Sequence, residues 1–250
     1  MDAVAVIHGQ GTPEHAWQTC DWLWQRECTA LDSLLGGATR VLVVAPHPDD
    51  ELLACGGLMR LASDAGCRIQ VVAVTDGEAC YPDETWWTPS RLRQARRLEL
   101  RAAVDALGLT AAGIVHLGVA DGEVSADTSR LADMLAGLTM PGDLVLVPWL
   151  HDGHPDHEAA ARAGLEAAAR RGVRCLQYPV WGWHWLSPGQ VAASWAAPKL
   201  LDIQAVRGAK QQAIACFRTQ TGAVERLAAA PILPPHVLQR FNRSVEVYLA

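Results

Sequence analysis

Short apolar runs alternate with longer stretches of helical pattern from Arg40 to about Trp185. The first run, residues 41–45, reads Val-Leu-Val-Val-Ala without a polar residue, as is typical of a strand covered on both faces. In all, the pattern predicts five strands, at residues 41–45, 68–74, 113–117, 143–147 and 173–180. It also predicts four helices between them, at residues 50–65, 90–107, 127–138 and 156–171. Ser90 is the predicted N-cap of the second helix, and Gly66, Gly108 and Gly172 are predicted stops.

This alternation of strands and helices predicts an α/β fold. Each strand–helix–strand connection is expected to be a right-handed crossover, which gives a mainly parallel sheet with helices on both faces. We therefore predict a Rossmann-like three-layer sandwich with strand order 3-2-1-4-5. In that order the first and fourth strands are neighbours, and the crevice between their carboxyl ends is where ligands bind.

The flanks of this core carry weaker patterns. Residues 13–35 and 203–217 are predicted to be helical, whereas residues 237–249 suit either a helix or a strand. The sequence contains no internal repeat and no linker that would divide it. We therefore expect one domain over residues 1–250, with a core at about 40–185 and both flanks packed on it.

The composition narrows the class of protein. Half of the residues are hydrophobic, which is enough for a sizeable core. The formal charge of −6 argues against a nucleic-acid partner and against a polybasic membrane anchor. There is no apolar run of about 18 residues, and the N-terminus lacks the pattern of a secretion signal. The seven cysteines, an odd number without a CxxC pair, favour reduced thiols in a cytoplasmic protein.

Two motifs rich in His and Asp follow the first and fourth predicted strands. Residues 45–51 read APHPDDE and residues 151–157 read HDGHPDH, and each motif opens a helix. Because the two strands are predicted neighbours, the motifs are expected to face each other at the carboxyl edge of the sheet. Pro48 and Pro155, each followed by acids, would also suit two simple helix starts. Capping does not explain the histidine at each turn, nor His157 inside its helix.

Metal chemistry accounts for the whole set. Two imidazoles and one carboxylate are the ligand pattern of a catalytic zinc site, which keeps one position open. Such a site lowers the pKa of a water molecule toward neutrality, so that the water can attack a carbonyl carbon. A neighbouring carboxylate can act as general base, and a further imidazole can stabilise the oxyanion and protonate the departing amine. The sequence contains no GxGxxG, GxSxG or P-loop motif that would favour another chemistry.

The motifs PHPDDE and HPDH resemble those of the PIG-L (LmbE-like) family of metal-dependent N-acetylglucosaminyl deacetylases. The likeness runs in matching order from about Arg40 to Val180. It implies the family's Rossmann-like fold and a zinc ion (Zn2+), with iron(II), Fe2+, as the other metal the site can take. Residue by residue, the resemblance implies metal ligands at His47, Asp50 and His157 and a general base at Asp49. It also implies an imidazole at His154 that stabilises the oxyanion and assists departure of the amine, and an acid at Asp156 that orients His154.

Other positions resemble the family more loosely. Arg96 matches an arginine that reaches sugar hydroxyls, although it would equally pair with Glu99 on a solvated helix face. Asp121 matches an acid that binds the sugar. Trp183, in the aromatic segment 178–185 after the fifth strand, is a candidate to bind the substrate by stacking on a sugar ring. The tryptophans of this segment would equally serve to close the core against the flanks.

The sequence therefore predicts a zinc-dependent hydrolase that N-deacetylates an N-acetylglucosamine-type amino sugar or its conjugate. The expected partner is a small-molecule substrate, and homo-oligomerisation stays open. The alternative is a metal-dependent amidase or esterase of the same fold that acts on a non-sugar substrate. A binding module without catalysis is a further alternative, which the complete motif argues against.

Overall fold

The computed structural model describes residue 7 and residues 9–195 and 197–250. Its central feature is a five-stranded sheet in the order β3-β2-β1-β4-β5, in which every neighbouring pair is parallel. The strands are β1 (Arg40–Ala45), β2 (Arg68–Ala73), β3 (Gly113–His116), β4 (Asp143–Pro148) and β5 (Arg174–Tyr178). The predicted α/β fold and strand order are confirmed.

Four helices cover the two faces of the sheet, as predicted. They are α4 (Asp50–Asp64), α5 (Pro89–Ala106), α6 (Thr128–Leu138) and α7 (Pro155–Arg171). Alternate residues of β1 face the two layers, because successive side chains of a strand point to opposite faces. Val41 and Val43 join the apolar cluster that contains residues of α4 and α5, whereas Leu42 and Val44 join the cluster that contains residues of α6 and α7. Both faces of β1 are therefore covered by apolar side chains, which explains its unbroken apolar run.

The starts of α5, α6 and α7 each differ from the prediction by one residue. Helix α5 begins at Pro89 rather than Ser90, and its N-cap is Thr88, whose side chain accepts a hydrogen bond from Arg91 N. Proline suits the first helical position because it has no N–H to leave unpaired. Pro155 occupies that position in α7, whereas Pro48 does not in α4, because Asp49 stands between Pro48 and the first helical residue.

The flanks form short elements that pack against this core. The remaining helices are α1 (Glu14–Gln18), α2 (Asp21–Trp24), α3 (Leu31–Leu35), α8 (Gly182–Trp185), α9 (Pro188–Ser194), α10 (Arg207–Ile214), α11 (Arg218–Thr221) and α12 (Pro235–Leu238). Within the described ranges, 3₁₀ turns lie at Val124–Asp127 and Gln239–Phe241. A second, antiparallel sheet joins β6 (Lys199–Asp202) to β7 (Val245–Tyr248). The helix predicted over 203–217 is therefore shorter than expected, and the strand before it was missed.

A cluster of aromatic rings joins the flanks to the core and includes Trp183. The rings of Trp17 and Trp195 meet that of Trp183 edge to face, with centroids 5.0 and 4.6 Å away. The Arg243 guanidinium lies 4.0 Å from the Trp183 ring centroid and pairs with buried Glu14. Trp183 is thus enclosed in this cluster and 5% exposed, and it is not among the residues that line the cavity beside the two histidine motifs. Among the described helices, we find none with the length and apolar character needed to cross a membrane.

Candidate metal centre

The two histidine motifs meet at the carboxyl edge of the sheet. Strands β1 and β4 are hydrogen-bonded neighbours, so the turns that follow them lie side by side. His47 Nδ1 lies 3.4 Å from Asp50 Oδ2. His157 Nε2 lies 3.3 Å from Asp50 Oδ2 and 3.3 Å from His47 Nδ1. Three donor atoms from two distant parts of the chain therefore form a nearly equilateral triangle.

The size of this triangle suits a zinc ion. With ligand bonds of roughly 2.0–2.1 Å, the donors of a tetrahedral zinc site lie about 3.3–3.4 Å apart. The three observed separations fall in that range. Asp50 and His157 are buried, and the site has the imidazole and carboxylate donors that a catalytic zinc site uses. The donor set therefore fits a divalent metal with a further coordination position.

The electrostatics of the donors also favour a cation. Burial alone would lower the pKa of His157, but Asp50 and Asp152 raise it to about 9. Burial opposes the charged form of His47 as well, yet its carboxylate neighbours, Asp121 foremost, raise its pKa well above the usual value. Burial would raise the pKa of Asp50, and the two imidazoles lower it instead. The surrounding carboxylates thus stabilise positive charge at the centre of the triangle.

Two outer carboxylates fix the ring nitrogens that face the triangle. Asp152 Oδ2 lies 2.9 Å from His157 Nδ1, which leaves Nε2 of His157 for a metal. Asp121 Oδ1 lies 3.0 Å from His47 Nε2, which leaves Nδ1 of His47. Carboxylates in this position set the tautomer and orientation of metal-binding imidazoles. The structure thus places Asp121, predicted to bind sugar, against His47, although it also lines the adjoining cavity.

Asp152 is a residue of this site that the sequence analysis missed. It is fully buried, and its carboxylate also accepts hydrogen bonds from the amides of Val180, Trp181 and Gly182, at 2.9–3.0 Å. Trp185 Nε1 donates to the carbonyl oxygen of Asp152. The signal was an acid five residues before the last histidine of HDGHPDH, but its role depends on the segment after β5 folding over it.

Asp49 stands at the N-cap position of α4 and does not act as a cap. Its side chain makes no capping hydrogen bond, and its backbone has φ 139°, a conformation that L-residues rarely adopt. The carboxylate is buried and faces Arg96, with Arg96 Nη2 3.0 Å from Asp49 Oδ2. Burial raises the pKa of Asp49 to about 7, against the opposing effect of Arg96. A carboxyl group with such a pKa can accept a proton at neutral pH.

Arg96 is buried and holds the turn that carries Asp49. Besides Asp49, its guanidinium donates to the carbonyl oxygens of Gly77 at 2.9 Å and Pro48 at 2.6 Å. Only 2% of Arg96 is exposed, and Glu99 accepts hydrogen bonds from Thr219 instead of pairing with it. The alternative of an Arg96–Glu99 pair on a solvated helix face is therefore wrong.

His154 and Asp156 border the triangle. The His154 ring centroid lies 4.9 Å from those of His47 and His157. Burial and these two neighbouring imidazoles lower the pKa of His154 to about 3, so the ring is neutral. Its Nδ1 accepts a hydrogen bond from the backbone N–H of Asp156. The Asp156 carboxylate accepts from the amides of Gly122 and Val124, and lies 3.4 Å from His47 Nε2.

A cavity of about 390 Å³ opens beside these residues. Its polar lining includes His47, Asp49, Asp50, Arg96, Asp121 and His154. Trp181 lines this cavity, two residues before the enclosed Trp183. Gln220, Ile232 and Leu233 bring in the C-terminal flank, where the sequence pattern was weak. The candidate site is therefore a metal-binding triangle, a separate carboxylate and a neutral imidazole at one end of a pocket.

Several known proteins are similar to this chain in sequence or in structure. The probable N-acetyl-alpha-D-glucosaminyl L-malate deacetylase 2 of Bacillus cereus is 31% identical over 136 residues, which cover 52% of this chain and 61% of that protein. The 4-oxalmesaconate hydratase of Pseudomonas putida is 29% identical over 195 residues, 72% of this chain and 73% of the hydratase. The crystal structure of the conserved protein TT1542 from Thermus thermophilus superposes with a TM-score of 0.61 and 25% identity, covering 85% of this chain and 94% of the other.

The family comparison covers the part of the chain that builds the site. Residues 42–168 match the family described as PIG-L: GlcNAc-PI de-N-acetylase. That range holds most of β1, the whole of β4, both histidine motifs, Arg96 and Asp121. It spans just over half of the 250 residues. The chain therefore belongs to the PIG-L family.

Proposed function

We propose that this chain is a zinc-dependent N-deacetylase that hydrolyses the acetamido group of an N-acetylglucosamine-type amino sugar or its conjugate. The observation that carries the proposal is the triangle of His47 Nδ1, Asp50 Oδ2 and His157 Nε2, with edges of 3.3–3.4 Å, beside the buried carboxylate of Asp49. The family match and the deacetylase among the relatives support the same reaction. We propose the cytoplasm as its compartment, because an odd number of cysteines without a paired spacing suits a reducing environment.

Asp49 acts beside the three residues that would hold the metal, His47, Asp50 and His157. When bound, a zinc ion supplies a Lewis acid that polarises the amide carbonyl and favours deprotonation of water. Asp49 takes the proton of the attacking water as general base, because its carboxylate lines the cavity and has no capping duty within α4. Arg96 acts as a positioning residue that holds the Asp49 carboxylate in place.

His154 stabilises the carbonyl oxygen of the substrate amide as that oxygen becomes negative. Because its Nδ1 accepts the amide of Asp156, the proton of the neutral ring sits on Nε2. An N–H donor lining the cavity beside the metal can stabilise the oxyanion of the tetrahedral species. Asp156 contributes through that backbone hydrogen bond, and its carboxylate helps to hold the 122–124 turn against His47. The proton for the departing amine then comes from Asp49, which has just accepted one from water.

Hydration of an unsaturated carboxylate is a second candidate reaction. It is favoured by the relative of that class, whose match covers 72% of this chain. A substrate with several carboxylates would need cationic side chains in the pocket. Among the described residues that line the cavity, Arg96 is the one arginine or lysine, and it already pairs with Asp49. The charge of the pocket therefore favours a neutral amide over a polycarboxylate.

The test measures products and metal in the same preparations. Zinc-loaded protein is assayed for acetate release from N-acetylglucosamine derivatives, from non-sugar amides and esters, and for hydration of unsaturated dicarboxylates. We expect turnover of the sugar amides, and a 10²–10⁴-fold loss for Asp49→Asn with zinc content unchanged. Asp64→Asn, at the exposed far end of α4, is the matched control. Full activity of Asp49→Asn, or turnover confined to the dicarboxylates, would overturn the proposal.

A further inference from the structure

Besides the polar groups of the metal centre, apolar side chains line a large part of the cavity. We call Leu53, Ala79, Val180, Trp181, Ile232 and Leu233 the apolar wall. Leu53, Val180 and Leu233 are 2–3% exposed and form its buried base, whereas Trp181 and Ile232 are more open. These residues come from α4, from the loop after β2, from the segment after β5 and from the C-terminal flank.

Hydrogen bonds hold the apolar wall in shape. Tyr81 Oη donates to the Thr219 carbonyl at 2.8 Å and accepts the Ile232 amide at 3.3 Å. The Leu233 amide donates to the Gln220 carbonyl at 2.9 Å. On the other side, the Trp181 amide donates to Asp152, the carboxylate that also holds His157. The wall is therefore built in advance and shares an anchor with the metal centre.

The polar groups of the cavity are concentrated at the metal centre. His47 contacts Asp50, Asp121 and His154, and Asp49 pairs with Arg96. Among the described lining residues, Gln220 is the one further amide, and its Nε2 already contacts Thr219 Oγ1 and Cys80 Sγ. Apart from the Trp181 indole N–H and the Gln220 Oε1 atom, sugar hydroxyls placed against the apolar wall would lose water without gaining side-chain partners, which costs free energy.

We infer that the substrate carries an apolar group next to its acylated amine, and that this group packs on the apolar wall. The inference rests on the proposed amide hydrolysis and specifies its substrate class. Two sources supply the same chemistry: an acyl chain longer than acetyl, or an apolar substituent on the sugar. Burial of each methylene group of either is expected to raise kcat/KM about fourfold until the wall is covered.

The experiment compares two series of substrates with the zinc-loaded protein. One series lengthens the acyl group of glucosamine from acetyl to butanoyl to hexanoyl. The other keeps acetyl and lengthens the glycoside of N-acetylglucosamine from methyl to butyl to hexyl. A rise of about fourfold per methylene in either series supports the inference and identifies the source. Flat or falling kcat/KM in both series overturns it.

Variants and a binding measurement separate this inference from the proposed reaction. Ile232→Asn is expected to flatten the rising series and Ile232→Leu to keep it. Leu98→Asn, on the exposed face of α5, is expected to change neither. If no sugar amide is hydrolysed, the proposed function fails. Calorimetry of methyl and hexyl glucosaminide binding to the zinc-loaded protein then still tests whether the apolar wall binds an apolar group. Tighter binding of the hexyl compound by tenfold or more supports the apolar wall, and equal affinities overturn it.

Discussion

The Asp152 carboxylate lies 2.9 Å from His157 Nδ1 and accepts three backbone amides from residues 180–182 as well. Because Asp152 is fully buried, its carboxylate is stabilised by hydrogen bonds from these donors rather than by water. One carboxylate therefore orients a candidate metal ligand and also fixes the segment that supplies Trp181 to the cavity. Changes at the metal centre and at the cavity wall are coupled through this residue.

Asp152→Asn is expected to weaken zinc binding by about 10–100-fold. The asparagine keeps one oxygen that accepts hydrogen bonds, but its NH₂ group then faces a backbone amide or His157 Nδ1, which are themselves donors. The substitution also removes the negative charge that favours His157 as a metal ligand. Zinc affinity is measured by competition with a chromophoric chelator. Asp133→Asn is the control, because the Asp133 side chain is 70% exposed and pairs with Arg170 at the surface. An affinity equal to that of the unmodified protein would contradict the assigned role of Asp152.

Arg96→Met is expected to reduce kcat for amide hydrolysis by about 100-fold while zinc content stays constant. The substitution removes the donor to Asp49 and to the carbonyls of Pro48 and Gly77, so the turn that carries the base shifts. Arg101→Met is the matched control on the same helix, since the Arg101 side chain is 43% exposed. A kcat within twofold of the original would show that Asp49 needs no such support.

Asp76 should make the stability depend on pH in the acid range. Burial alone would raise its pKa, but hydrogen bonds to His116 and Arg97 lower it to about 2 from an ordinary value of 3.8. A carboxylate with a lowered folded-state pKa stabilises the fold above the unfolded-state pKa, and this contribution is lost as pH falls through the folded value. The difference in unfolding free energy between the protein and Asp76→Asn should therefore shrink from pH 5 toward pH 2. Urea unfolding at several pH values measures it, and a constant difference would refute the prediction.

The core of the fold was predictable because its signals are local. Each strand of the large sheet contains a short run rich in strand-forming apolar residues, and each helix of the core is bounded by glycine, proline or a capping residue. The β6–β7 sheet lacks such a signal. Its strands have four residues each, and Leu200 pairs with Val247 across a long stretch of chain. Nothing in the local pattern of either strand identifies the other as its partner.

The candidate site was predictable where the types of residue in a motif indicate its chemistry. Two motifs at neighbouring strand ends predict that His47, Asp50 and His157 lie close together, and the family resemblance implies that they are the ligands. The buried setting of Arg96 depends instead on the turns above α4. The aromatic segment shows the same limit. Trp181 and Trp183 are two residues apart, and positions with that spacing point in different directions on a helical turn. Trp181 therefore lines the cavity, whereas Trp183 packs in the core against Trp195. The surrounding packing determines which of the two does which.

Two helix glycines should respond to alanine with opposite signs. A Cβ on Gly57, in α4, would overlap the Ile203 side chain at Cγ2, so the helix or the flank must move. Gly57→Ala is therefore expected to destabilise the protein by about 1–3 kcal/mol. A Cβ on Gly137, in α6, would meet nothing within 4 Å, and alanine is the better helix former by about 0.5–1 kcal/mol.

Urea unfolding of both variants tests this pair, because neither glycine lines the cavity and both keep helical backbone angles. The midpoint should fall for Gly57→Ala and rise for Gly137→Ala at an unchanged m-value. Since α4 carries Asp50 on its first turn, displacement of this helix by Gly57→Ala should also weaken zinc binding, whereas Gly137→Ala should leave it unaltered. A stabilised Gly57→Ala with full zinc affinity would mean that α4 does not need its close approach to Ile203 to place the metal ligand.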